Sequence, residues 1–189
     1  MKSMDRVGSS ERQDTDEFSG AARPRAAPDV ILSAPGVRHG AAIHRLVEAC
    51  KPLDLNSTYA YLLLCEHFAE TCVHAQRGGR TVGFVSAYRP PKQSDVIFVW
   101  QVAVAAEMRG QGLARAMLRE LVDRPVMRHC RYLETTVSPS NEPSRRLFHR
   151  LARERGAAIT ERVLFSEADF GLEPHEQETL IRIGPFAGN

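Results

Sequence analysis

The run VIFVWQVAV, Val96 to Val104, most constrains what this chain can fold into. It is apolar at nearly every position, so it lacks the alternation of a strand with one wet face. It reads as a central strand covered on both sides. RGQGLARAML follows at 109–118, and beyond its two glycines Leu113, Met117, Leu118 and Leu121 recur at helical spacing. A central strand feeding a glycine turn and a helix calls for an open α/β sheet. Ligands bind such sheets at the carboxyl ends of their strands. Glycine lets main chain approach a ligand closely, and a helix N-terminus favours an anion. The turn therefore reads as a phosphate cradle.

The remaining elements fit the same class. DVILSAP is a short strand ended by Pro35, and GVRHGAAIHRLVEACK is a helix with Ile43, Leu46, Val47 and Cys50 on one face. PLDLN is a loop before a helix capped by Asn56 or Ser57, whose apolar face is Tyr61, Leu64, Cys65 and Phe68. CVHAQRGGRTVGFVSAYR is a hairpin turning on Gly78 and Gly79. CRYLETTVS is a strand, NEPSRRLFHRLARERG a helix closed by Gly156, and ERVLFS and EQETLIRIGPF are two last strands. The order is strand, two helices, three strands, helix, strand, helix, two strands. Residues 1–28 are polar, mixed in charge and poor in large apolar groups, so they are expected to form a disordered tail. Residues 29–189 are expected to form one domain.

Several function classes are disfavoured. The net charge is +2, and no basic run is interleaved with aromatics, which argues against nucleic acid. No stretch approaches the ~20 apolar residues of a membrane span. The first twenty residues lack the apolar core of a signal peptide, so the expected location is the cytoplasm. Cys50, Cys65, Cys72 and Cys130 form no CxxC pair, and the seven histidines show no HExxH spacing, so no metal is expected. A dinucleotide GxGxxG fails for want of its third glycine, and a Walker loop is absent.

The wider stretch VAVAAEMRGQGLA, followed by NEPSRRLFHRLARERG, resembles the two cofactor motifs of the GCN5-related N-acetyltransferases, the GNAT family. That resemblance implies a mixed central sheet of about seven strands with helices on both faces, and acetyl-CoA as co-substrate. It implies that Arg109, Gly110, Gln111, Gly112, Leu113 and Ala114 turn toward the pyrophosphate, and that Val102 and Val104 flank the cofactor. Asn141 would cap the following helix and face the pantetheine arm. The central strand would bulge away from its neighbour there, and its amides around Gln101 and Val102 would stabilise the oxyanion. Phe148 stands where many members carry a tyrosine that protonates the leaving thiolate. Either another group serves, or the thiolate leaves unassisted.

Three segments can supply the acceptor pocket. PLDLNSTYAY holds Asp54 and Tyr59, FVWQV holds the only tryptophan, Trp100, and LEPHEQETL holds His175 and Glu178. Each has an ordinary alternative: a helix-start charge for Asp54, core for Trp100, surface loop for His175 and Glu178. Their convergence at one end of the sheet would put carboxylates and an aromatic face beside a thioester, which suits a small cationic amine. PLDLNSTYAYLLLCEHF, RPPKQSDVIFVWQVAV, RGQGLARAML and TTVSPSN together resemble one branch of the family, the diaminobutyrate acetyltransferases of ectoine biosynthesis. This implies transfer to the γ-amine of L-2,4-diaminobutyrate, and a homodimer. Asp54 and Glu178 would each hold an ammonium, and one of them would take the γ proton, directly or through water. Trp100 would wall the chain of the substrate and Tyr59 would hydrogen-bond it. The alternatives are an acetyltransferase for a polyamine or a protein N-terminus, and a non-catalytic acetyl-CoA-binding module.

Overall fold

The computed structural model describes residues 29–186. The expected tail, 1–28, lies outside them, as do 187–189. Seven strands form one sheet: β1 (Val30–Ser33), β2 (Val73–Arg77), β3 (Arg80–Tyr88), β4 (Val96–Val104), β5 (Tyr132–Val137), β6 (Ile159–Phe165) and β7 (Glu178–Ile183). Their order is β1-β2-β3-β4-β5-β7-β6. Only β4 and β5 run parallel; every other neighbouring pair is antiparallel.

Four helices cover the two faces: α1 (Gly40–Glu48), α2 (Thr58–His67), α3 (Leu113–Val122) and α4 (Glu142–Glu154). On one face α1 and α2 bury Ile43, Val47, Tyr61 and Leu64 against Phe84 and Ala103. On the other, α3 and α4 bury Met117, Leu118, Leu121 and Leu151 against Val85, Ile97, Val99 and Leu133. β4 has buried side chains in both cores, as its largely apolar run requires. Gly83 of β3 lets α3 settle onto the sheet: a Cβ there would lie 2.8 Å from the Met117 sulfur and 3.1 Å from the Ala75 Cβ.

Local chemistry sets the ends of the helices. Ser57, not Asn56, caps α2, its hydroxyl accepting from the Ala60 N–H at 3.3 Å. Phe68, expected on the apolar face of α2, falls just past the end of the helix and is 41% exposed, packing edge-on to Tyr88. After α3 the chain makes a short 3-10 turn, Pro125–His129, that the sequence pattern did not suggest. All four cysteines are free and buried. No helix among the described residues is long and apolar enough to cross a membrane.

Candidate active site

The site begins where two parallel strands part. β4 pairs with β5 only over Val96–Val99, opposite Tyr132–Thr135. Toward its carboxyl end β4 still pairs with β3, but with a bulge: Val99 lies opposite Ala87 and Gln101 opposite Ser86, leaving Trp100 as the extra residue. Trp100 is 46% exposed, so it is not core. The Gln101 N–H, expected to face the thioester, instead donates to the Ser86 hydroxyl on the β3 side, at 3.1 Å. The Ala105 N–H donates to the Val82 carbonyl, also on the β3 side, at 2.9 Å. Residues alternate along a strand. The Val102 and Val104 amides therefore face the other way, into the gap left by β5.

A cavity of about 470 Å³ opens beside that gap. Val102 and Val104 line it, with Arg109, Gly110, Gly112, Leu113 and Ala114 of the glycine turn and Pro143 and Ser144 of α4. Gly112 caps α3 in the left-handed region, at φ +79, and a Cβ there would meet nothing within 4 Å. Glycine is thus required by backbone conformation, and the space beside it is open. The Arg109 guanidinium folds back to donate to the Val104 carbonyl at 3.1 Å. Gln111 donates to the Glu107 carbonyl at 2.7 Å, which braces the turn. Asn141 caps α4, accepting from the Ser144 N–H at 3.2 Å. Phe148 is buried in the core.

Sequence reasoning missed Arg115, Arg146 and Arg150, which also line this cavity. Arg115 pairs with Glu154, and Arg146 with Glu142. The signal for two of them was the spacing of four on α4, which puts Arg146 and Arg150 on one stripe; Arg115 lies on α3. The cavity therefore combines arginines held in ion pairs, Arg150 also pairing with Glu154, with a helix N-terminus and strand amides. A helix N-terminus beside free strand amides suits a phosphorylated ligand.

The segments expected to supply the acceptor pocket include the α1–α2 loop and the start of β7. Glu178 opens β7 and is partly buried. Burial pushes its carboxyl above the ordinary value of 4.5, and the nearby Asp54 and Glu176 charges add to that, while a Thr136 hydrogen bond and His175 oppose it. The structure thus brings Asp54, His175 and Glu178 into one electrostatic neighbourhood. The His175 ring stacks on Phe170 with centroids 4.0 Å apart, and its Nδ1 sits 2.6 Å from the Glu176 carbonyl oxygen. Nδ1 therefore carries the hydrogen, and Nε2 remains as an acceptor when the ring is neutral. Tyr59 is 67% exposed at the first turn of α2. Two side chains beside this region, those of Gln101 and Tyr61, make hydrogen bonds that the sequence reading did not anticipate. Gln101 donates through Nε2 to the Asp54 carbonyl at 2.7 Å, and the Tyr61 hydroxyl donates to Gln101 Oε1 at 3.2 Å.

The acetyltransferase (GNAT) family profile matches residues 41–152. An L-2,4-diaminobutyric acid acetyltransferase from Bordetella parapertussis is 53% identical over 177 residues, covering 93% of this chain and 95% of that protein. One from Methylotuvimicrobium alcaliphilum is 45% identical, covering 85% and 94%. Among solved structures, a diaminobutyrate acetyltransferase from Paenibacillus lautus, in complex with L-2,4-diaminobutyric acid and coenzyme A, superposes with a TM-score of 0.81. It is 43% identical and covers 85% of this chain and 97% of its own.

Proposed function

We infer the activity of this chain from one premise: it belongs to the acetyltransferase (GNAT) family and, within it, to the L-2,4-diaminobutyric acid acetyltransferases. It transfers the acetyl group of acetyl-CoA to the γ-amine of L-2,4-diaminobutyrate, giving N-γ-acetyl-diaminobutyrate for ectoine biosynthesis. The observation that carries this reading is the likeness, over nearly the whole chain, to relatives of that one activity.

The roles of individual residues are our proposal. Acetyl-CoA supplies an activated acyl group as a thioester. The glycine turn, Gly110 to Ala114, holds the pyrophosphate at the N-terminus of α3, with Arg109 and Arg146 adding positive charge. The Val102 N–H, facing the gap, donates to the carbonyl oxygen as negative charge develops on it. Asp54 holds one ammonium of the substrate and Trp100 walls its short chain. Glu178, whose carboxyl burial holds above its ordinary value, takes the proton from the γ-ammonium. The nitrogen then bonds to the carbonyl carbon, the C–S bond breaks, the sulfur leaves as thiolate, and the nitrogen sheds its second proton to solvent water, leaving a neutral amide. Phe148 has no proton to give and is buried away from solvent.

A homodimer is proposed as the assembly. It is supported by the open edge of β6, where Val163 and Phe165 are each 47% exposed. The cytoplasm is proposed as the location, because acetyl-CoA is spent there. The activity is tested by thiol release from acetyl-CoA with diaminobutyrate, with a polyamine, with a peptide amine and with no acceptor. Turnover with diaminobutyrate and an NMR spectrum of the γ-acetyl product are expected. Faster turnover of the polyamine or the peptide would overturn the substrate assignment, and no release with any acceptor would overturn catalysis.

A further inference from the structure

The α1–α2 loop is tied to the central strand at two backbone groups, and both ties run through one side chain. Gln101 is 6% exposed and Tyr61 fully buried. A carbonyl can only accept, so the Gln101 nitrogen must be the atom facing Asp54, and Oε1 must face Tyr61. The Tyr61 hydroxyl gives its proton to Oε1 and in turn accepts from the Asn56 N–H at 3.4 Å. Donation therefore runs in one direction: Asn56 to Tyr61, Tyr61 to Gln101, Gln101 to the Asp54 carbonyl. Main-chain groups on both sides of Leu55 are fixed by this circuit. The backbone of Gln101 is itself fixed by Ser86 and adjoins the Val102 amide.

We propose that Gln101 is the positioning residue of the acceptor site. Its side chain sets where the Asp54 carboxylate stands relative to the Val102 amide, and so which amine of a diamine reaches the thioester. This rests on the reading of Asp54 as an ammonium-binding group. Gln101 touches neither the amine nor the thioester and acts only through Asp54. A side chain serving stability alone would affect both substrates equally. A positioning residue affects the acceptor and the site of acetylation, and spares acetyl-CoA.

The test compares Gln101→Leu, Gln101→Glu, Tyr61→Phe and Asp54→Asn in the full chain. It reads KM for each substrate and the ratio of γ- to α-acetyl product by NMR. Gln101→Leu is expected to raise KM for diaminobutyrate about tenfold or more, to leave KM for acetyl-CoA within about twofold, and to release α-acetyl product. Tyr61→Phe should show the same split, and the double variant should be less than additive, because both act on one circuit. Gln101→Glu adds a signature that stability alone does not give. Ionised, its carboxylate has no hydrogen for the Asp54 carbonyl; protonated, it does. Its activity relative to the unmodified protein should therefore rise as pH falls. If Asp54→Asn raises KM while folded Gln101 variants keep the original KM and product ratio, the proposal is overturned. Equal rises in both KM values overturn it too. If Asp54→Asn leaves KM unchanged, the reading of Asp54 fails and the proposal with it. Should Gln101→Leu not fold, a pH-independent ratio for Gln101→Glu decides against it.

Discussion

Ser86 receives the backbone N–H of Gln101 on its hydroxyl oxygen, 3.1 Å away, in the bulge between β3 and β4. Ser86 is fully buried, so the bond is shielded from water. It keeps the Gln101 amide satisfied while the bulge turns Trp100 out of the ladder. Ser86→Ala leaves a buried donor without a partner. It should cost about 1–3 kcal/mol of folding stability, read from the urea midpoint. It should also lower kcat more than it raises KM for acetyl-CoA, because the Val102 amide loses its fixed direction. An unchanged midpoint and kcat would show that the bulge stands without the serine.

Gly112 sits at φ +79 at the head of α3. A β-branched residue pays about 1–3 kcal/mol to hold a sparsely populated backbone conformation, or else the turn moves. Gly112→Val should weaken coenzyme A binding at least about tenfold by calorimetry. Gly78→Val makes the right control. It has positive φ, +54, in the β2–β3 hairpin, and should destabilise the fold without changing coenzyme A affinity.

Glu178 titrates above its ordinary 4.5, first through burial and then through Asp54 and Glu176. A base works only when deprotonated, so kcat/KM for diaminobutyrate should rise with pH through a value above 4.5 and level off. Asp54→Asn removes one of the charges that raise this pKa. The acidic limb of the profile should therefore move to lower pH, even as the efficiency drops. Glu178→Gln should lose about tenfold or more in kcat/KM and the limb with it. A limb that survives Glu178→Gln belongs to another group.

His74 is fully buried on β2, its ring 4.3 Å from that of His39 and its Nε2 2.9 Å from the Thr81 hydroxyl. Its Nδ1 has no partner. Burial, with His39 and Arg38 adding to it, lowers its pKa from 6.5 to about 4. The unfolded chain therefore binds more protons than the folded one between these values, and stability falls as pH drops through that window. At ~1.4 kcal/mol per unit the loss by pH 4 is on the order of 3 kcal/mol. Urea titrations from pH 7 to pH 4 should show it, and His74→Leu should flatten the slope. An equal slope in the variant would place acid sensitivity elsewhere.

The sequence was most legible where one physical demand acts on many neighbouring residues. β4 is apolar because two cores need it, and Leu113, Met117, Leu118 and Leu121 are all buried on the face that their spacing marked out. Gly110 and Gly112 both adopt positive φ. Asp54 could be named as an acid among apolar neighbours, and His175 and Glu178 from their place before the last strand; the charges of Asp54 and His175 do act on Glu178. The bulge was legible only through the family resemblance, because nothing in VWQV itself tells an extra residue from a regular one. Gln101 could have been suspected. One amide in an apolar strand must find partners once buried, but those partners, Tyr61, Asp54 and Ser86, are distant in sequence. The direction of the Gln101 N–H depends on a register that only pairing with β3 defines.

The parting of β4 and β5 makes the folded protein, on its own, a sheet with a slot in its interior. Each amide aimed into that slot can be satisfied by water, or by a guest that brings its own carbonyls and N–H groups. The pantetheine arm of acetyl-CoA is such a guest, a short peptide-like chain that can serve as the strand the polypeptide omits. The co-substrate is in that sense also a building block. By linkage it lends the native state RT ln(1 + [L]/Kd) of extra stability. A cell rich in acetyl-CoA would therefore hold this enzyme in a sturdier form than one depleted of it.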